Sequence, residues 1–265
     1  MPPLPALTNP SFETPLQGDQ LPGWEHARGE GITVELGEDK GQRGRHALRL
    51  RSRGPVAWVR SNPFSAPRTG RLSVSVWLRV DDPDVQPPLQ VAIEGRLHGQ
   101  TYYRPARVGA ADGRTNPPPR PLSRQWDWFL VRIDDLPTSG VTDLRVAFDL
   151  MGPGSVWIDD VEVFDLWFDR TECNELLKTI ALADLSLGKG AVMECRRILD
   201  GYWPEFLRRH VPAEPPQLVN SAPGEAASAP DASPPEKEEK EKPKATTSWL
   251  DRFLPRSSKL PKLVR

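Results

Sequence analysis

The chain has 265 residues, room for one large domain with appendages or two small ones. Its 35 basic and 36 acidic residues leave a net charge of −1, which gives no global pull toward nucleic acid or an acidic surface. No run approaches the roughly 18 apolar residues of a membrane span, and Met1 to Thr8 lacks the basic and apolar regions of a secretion leader.

After a proline-rich lead over 1–7, Asn9-Pro10-Ser11-Phe12-Glu13 reads as a short edge strand, and Leu21-Pro22-Gly23-Trp24 as a turn delivering an indole. Ile32 to Leu36 and Ala47 to Arg51 alternate as strands around a loop whose Gly37, Gly41 and Gly44 let the backbone curl tightly. Val56 to Arg60 follows. Arg71 to Val80 is the clearest strand, with Leu72, Val74, Val76 and Leu78 on one face and Ser73, Ser75, Trp77 and Arg79 on the other. Leu89, Val91 and Ile93 continue the pattern against Gln90, Ala92 and Glu94. Thr101 to Arg107 reads either as a strand or as a loop, and a proline-rich loop covers 110–123. Phe129, Val131 and Ile133 then alternate with Trp128, Leu130 and Arg132, and Leu144, Val146, Phe148 and Leu150 with Arg145, Ala147 and Asp149.

The most informative stretch closes this series. In Val156-Trp157-Ile158-Asp159-Asp160-Val161-Glu162-Val163 the apolar parity changes once, at the acidic pair, which predicts a bulge. Eight to ten short strands separated by Gly/Pro turns, with no helix signal between them, define an antiparallel β-sandwich or jelly roll over 8–168.

The period changes after Phe168. Asp169 with Glu172 forms a capping box for a helix to about Leu187, with Leu176, Leu177, Ile180, Ala183 and Leu187 as its apolar stripe. A second helix runs from Ala191 to Asp200, and a third, opened by Pro204, from Glu205 to His210, so 169–211 is a helical hairpin with an added turn. The hairpin geometry puts Cys173 and Cys195 roughly 15 Å apart, which predicts two free thiols. Residues 212–245 have the Pro, Glu and Lys content of a disordered linker, and 246–265 form a short amphipathic, basic tail around Trp249 and Phe253. The hairpin and the tail are candidate contacts for a protein partner, and the tail also for an anionic membrane surface.

Taken in order, Asn9-Pro10-Ser11-Phe12-Glu13, Leu21-Pro22-Gly23-Trp24, Gly41 to Leu50 and Val156 to Val163 resemble the carbohydrate-binding-module branch of the galactose-binding-like jelly rolls. The resemblance covers roughly Leu7 to Phe168. It implies a structural calcium ion tying the first strand to the last, held by Glu13 and by Asp159 or Asp160, with backbone carbonyls from the loop at Lys40 and Gly41. It also implies an extracytoplasmic setting.

With the aliphatic parity assigned to the core, the opposite parity presents Trp77, Arg79, Gln90, Glu94, Trp128, Arg132, Arg145 and Asp149. Indoles among amides, carboxylates and guanidiniums suit sugar recognition, because a pyranose stacks its C–H face on a ring while its hydroxyls need fixed donors and acceptors. One sheet face with Trp77 and Trp128 as platforms is therefore a candidate glycan site, although the same face could serve as the dock for the helices. Tyr102 and Tyr103, near His98, are a second candidate at the loop ends. His26, His46, His98 and His210 lack ligand spacing, and no nucleophile or phosphate-loop motif is present. Glu94 and Asp149 are the only carboxylate pair worth weighing for catalysis. The expectation is a non-catalytic carbohydrate-binding module, with a scaffolding protein as the alternative.

Overall fold

A computed structural model describes residues 3–38, 40–109 and 120–211. The chain divides into two compact units, 1–167 and 168–265. The linker and tail read over 212–265 lie outside the described residues.

The first unit holds ten strands: β1 (Trp24–His26), β2 (Ile32–Glu38), β3 (His46–Ser52), β4 (Ala57–Ser61), β5 (Leu72–Arg79), β6 (Pro88–Leu97), β7 (Gln100–Gly109), β8 (Asp127–Ile133), β9 (Val141–Leu150) and β10 (Gly154–Phe164). They form two five-stranded sheets, β1-β4-β9-β6-β7 and β2-β3-β10-β5-β8, in which every strand pairing is antiparallel. The aliphatic parity of each strand fills the layer between them: Leu48 and Leu50, Val59, Val74 and Val76, Val91 and Ile93, Val146 and Phe148 are all buried. This is the antiparallel sandwich that the alternation dictates.

The slip in β10 is where the sequence places it, between Asp159 and Glu162 in the pairing with β5. Asp160 takes a positive φ of 46°, an unusual conformation for a residue with a Cβ. The extra residue lets Val156 and Ile158 on one side of the bulge and Val161 and Val163 on the other all reach the core.

Asn9 to Glu13 is not a strand. Asn9 and Phe12 both have positive φ (52° and 55°), so the segment turns instead of extending. Pro10 still joins the sheet's end, accepting the Val161 amide at 2.9 Å. The turn drives Phe12 fully into the core against Trp24, whose ring packs in turn on Phe148. Pro10 and a buried aromatic outweigh the short alternating pattern.

The second unit contains α1 (Arg170–Gly188), α2 (Val192–Leu199) and α3 (Tyr202–His210). The capping box is present: Asp169 accepts the Glu172 amide and Glu172 the Asp169 amide, both at 2.8 Å. Trp203 Nε1 donates to Glu175 Oε2 at 3.0 Å, joining α3 to α1. The expected stripe is covered only in part. Ala183 is buried, but Leu177 and Leu187 are exposed, with Leu182 and Leu185, because three short helices offer too little surface to cover every leucine of α1. Cys173 and Cys195 are free. No helix among the described residues is long and apolar enough to cross a membrane.

Phe12→Ala should destabilise the protein by about 3–5 kcal/mol, read as a lower denaturant midpoint; a change under 1 kcal/mol would mean the turn is not part of the core.

Candidate functional site

The outward parity of the two sheets makes two faces with different chemistry, and this separates residues that the sequence reading had joined. Trp77 and Arg79 lie on β5 and Trp128 on β8, in one sheet; Gln90 and Glu94 on β6 and Arg145 and Asp149 on β9 lie in the other. Their outward side chains point away from each other across the core, so no single site contains both sets. Parity says inward or outward, but only strand pairing says which sheet.

On the outer side of the β2-β3-β10-β5-β8 sheet, Trp77 pairs across strands with Trp128, and Trp128 packs on Trp167 with centroids 5.6 Å apart. The Arg79 guanidinium stacks between Trp157 (4.9 Å) and Trp126 (5.0 Å), and Arg49 stacks on Trp157 at 5.2 Å. Asp81 ties this ladder together, accepting from Trp157 Nε1 at 2.9 Å and from Arg49 Nη2 at 2.8 Å. Trp126, Trp128 and Trp157 are thus each packed on a neighbouring ring or guanidinium, and Arg49 and Arg79 are taken up by those rings and Asp81.

The β1-β4-β9-β6-β7 face is arranged otherwise. Register places Trp58, Asp149, Gln90 and Arg107 in one cross-strand row, Glu25, Arg60, Ala147, Ala92 and Pro105 in the next, and Arg145, Glu94 and Tyr103 in a third. Two alanines at the centre leave a shallow floor. Across it the Arg60 side chain lies flat, with Nε 2.7 Å from Glu94 Oε2 and Nη1 2.7 Å from Asp149 Oδ1. The Tyr103 hydroxyl donates to Asp149 Oδ2 at 2.6 Å and sits 3.1 Å from Gln90 Oε1. Arg145 pairs with Glu25 at 2.8 Å, and Arg60 stacks on Trp58 at 5.1 Å. Trp58 and Tyr103 thus stand on strands three spacings apart, about 14 Å, with a hydrogen-bonded polar cluster between them.

Burial, with the hydrogen bond to Asp149 and its charge, pushes the Tyr103 phenol above its ordinary value. The folded state keeps this proton at pH values where the unfolded chain releases it.

Trp58, Arg60 and Glu25 were not among the residues expected here. The alternation of Ala57 and Val59 against Trp58 and Arg60 was a usable signal, but nothing local ties that strand to Gln90 and Asp149. Thr101 to Arg107 is strand, within β7, and adjacent tyrosines on a strand must diverge: Tyr102 is buried in the core and Tyr103 faces outward.

A second cluster lies at the bulge. Asp159 is buried, its Oδ2 accepting the Gln42 amide at 2.6 Å and its Oδ1 the Asp160 amide at 2.7 Å. Burial, opposed by the Gln42 hydrogen bond but helped by the charges of Asp160 and Glu13, pushes the Asp159 carboxyl up to about 7. Burial also raises Asp160, which Arg43 offsets from 3.7 Å, while Glu13 adds to the rise. Glu13 accepts from the His46 amide (3.1 Å) and lies 3.2 Å from His46 Nδ1; burial works to raise its carboxyl, but His46 outweighs it and holds it low. A Cβ at Gly44 would collide with the Glu13 carboxylate, and one at Gly41 would meet the Gly44 and His46 carbonyl oxygens. Lys40, beside Gly41, donates its amide to the Arg45 carbonyl at 3.1 Å.

Asp160 Oδ2 is buried with no hydrogen-bond partner. The cluster thus gathers three carboxylates and one oxygen without a hydrogen-bond partner, and these are hard oxygen donors of the type calcium takes. Among the described residues, no three His, Cys, Asp or Glu side chains are already gathered as a chelate.

Solved structures similar to this chain include carbohydrate-binding modules. The CBM22-1 xylan-binding domain of Paenibacillus barcinonensis Xyn10C is 15% identical, with a TM-score of 0.42 over 58% of this chain and 89% of that domain. The CBM22-1–GH10 modules of Clostridium thermocellum Xyn10B, complexed with xylohexaose, are 11% identical at a TM-score of 0.42, over 62% of this chain and 29% of that one. TmCBM61, in complex with β-1,4-galactotriose, is 16% identical at a TM-score of 0.38, over 60% of this chain and 97% of that one. No protein-family model and no curated protein matches the chain. Likeness of this degree assigns no ligand.

The raised Tyr103 phenol gives stability that is complete below the ordinary phenol value of 10.0 and declines as pH rises past it. Tyr103→Phe should therefore lose less stability than wild type between neutral and strongly alkaline pH; parallel pH–stability curves would show that the phenol is not held this way.

Proposed function

We propose that the outer face of the β1-β4-β9-β6-β7 sheet binds a glycan, with Trp58 and Tyr103 as ring platforms and the Arg60, Glu94, Asp149 and Gln90 cluster as the hydrogen-bonding floor. One observation carries this reading: the polar side chains between the two rings are fixed by one another before any ligand arrives. Arg60 holds both carboxylates and Tyr103 holds Asp149 from the far side. Fixed donors and acceptors cost little reorganisation when sugar hydroxyls replace water. Arg145, Glu94, Gln90 and Trp58 remain partly exposed and available for contact.

The module is non-catalytic in this reading. Glu94 and Asp149 share one guanidinium, whereas hydrolysis of a glycosidic bond needs two carboxyls held in different protonation states. A scaffold that contacts another protein is the second reading. It draws on Leu182, Leu185 and Met193, which the helices leave exposed.

Binding to a panel of soluble and insoluble polysaccharides tests the first reading. Trp58→Ala and Tyr103→Ala should each weaken binding by about tenfold, the upper range for one ring contact. No binding across the panel, or binding indifferent to both substitutions, would leave the scaffold reading in its place.

For the acidic seam we propose calcium, held by Glu13, Asp159 and Asp160 with carbonyl oxygens of the loop at Lys40 and Gly41. Its chemistry there is neutralisation of charge where the chain's first segment meets its last strand. A chelator should lower the melting temperature and added calcium restore it, while Asp160→Asn should blunt the response. An unchanged melting curve would remove the ion from the account.

A further inference from the structure

We propose that the glycan path continues beyond Trp58, past the β1 edge of the sheet, into a second subsite built by the loop before β1, so that the ligand is an extended, hydroxyl-rich oligosaccharide. This rests on the reading of the sheet face above. An open cleft of about 590 Å³ lies there, and Trp58, Glu25, Gln17, Gln20, Asn62 and Arg28 are among its walls. Trp58 and Glu25 also belong to the sheet face, so the cleft and the face share a border.

The loop before β1 is held by its own hydrogen bonds. Gln17 and Gln20 exchange both backbone hydrogen bonds across a tight turn, at 2.9 and 3.1 Å. His26 Nε2 lies 2.9 Å from the Asp19 carbonyl oxygen, and Arg28 Nη2 donates to the same oxygen at 3.1 Å. Asn62, which also lines the cleft, accepts the Thr8 amide through Oδ1 at 3.2 Å, and this fixes its side chain. Among the described residues, the Gln17 and Gln20 side-chain amides have no hydrogen-bond partner, and both are exposed.

The chemistry of this subsite is that of a neutral polyol. Arg28 offsets Asp19 and Arg145 pairs with Glu25, so no net field around the cleft selects an anion or a cation. Primary amides supply both donors and acceptors, which match sugar hydroxyls. From β7 to β1 the face spans four strand spacings, about 19 Å, and the cleft extends it further. A ligand that fills both must be longer than one stacked on Trp58 alone.

The test is titration calorimetry on the full chain with β-1,4-linked xylo-, gluco- and galacto-oligosaccharides, each from disaccharide to hexasaccharide. The expected result is affinity that keeps rising through the longer members. Gln17→Ala with Gln20→Ala should weaken the longest ligand roughly two- to tenfold for each hydrogen bond lost and leave the shortest binder unchanged. Both side chains are exposed, so equal melting temperatures should confirm that the variant is folded. Affinity that stops rising at the short members, or a double variant equal to wild type on the longest, overturns the second subsite and leaves the sheet-face site standing. No binding to any series, or affinity unchanged by Trp58→Ala and by Tyr103→Ala, overturns the sheet-face reading and the extension with it.

Discussion

The sandwich depends on one extra residue in its last strand. Without the bulge at Asp160, either Val156 and Ile158 or Val161 and Val163 would face water, because a strand's side chains alternate without exception. The backbone accepts a left-handed residue to keep all four inside. The same kink turns two carboxylates toward the loop carrying Gln42 and Arg43 and brings the Val161 amide to the Pro10 carbonyl. Core continuity, closure of the chain ends and the acidic seam thus have a single origin.

The two outer faces show how similar residue types can do opposite things. Around Trp157 the arginines stack directly on indoles and Asp81 locks the ladder from its edge, which makes a brace. Around Arg60 two of the neighbours are alanines, so the guanidinium reaches across the sheet to Glu94 and Asp149 while resting on a single indole, Trp58.

Strand identity was legible because the interior needs period-two alternation, and even the bulge announced itself as a parity change between Ile158 and Val161. The capping box at Asp169 and Glu172 was equally local. Sheet membership was not legible: Trp77 and Gln90 follow the same pattern, yet the pairing of β5 with β8 and of β6 with β9 sends them to opposite sides. Trp58 was missed for the same reason, since its strand joins the candidate face only through pairing with β9, about ninety residues away. Asn9 to Glu13 misled because a short segment can alternate and still be bent by left-handed residues, here Asn9 and Phe12, and by the pull of Phe12 toward the interior.

The hairpin between β6 and β7 has one more consequence. Its loop is only His98-Gly99, both with positive φ, the tightest connection antiparallel strands allow. That two-residue reversal decides which of the neighbouring tyrosines looks inward. Gaining or losing a single residue at the tip, unless a bulge absorbed it as in β10, would swap them, setting a wrong ring in the interior and withdrawing a phenol from Asp149. Changes in recognition at this edge therefore have to come through exchange of side chains, because any unabsorbed change of length there would damage packing at the same stroke.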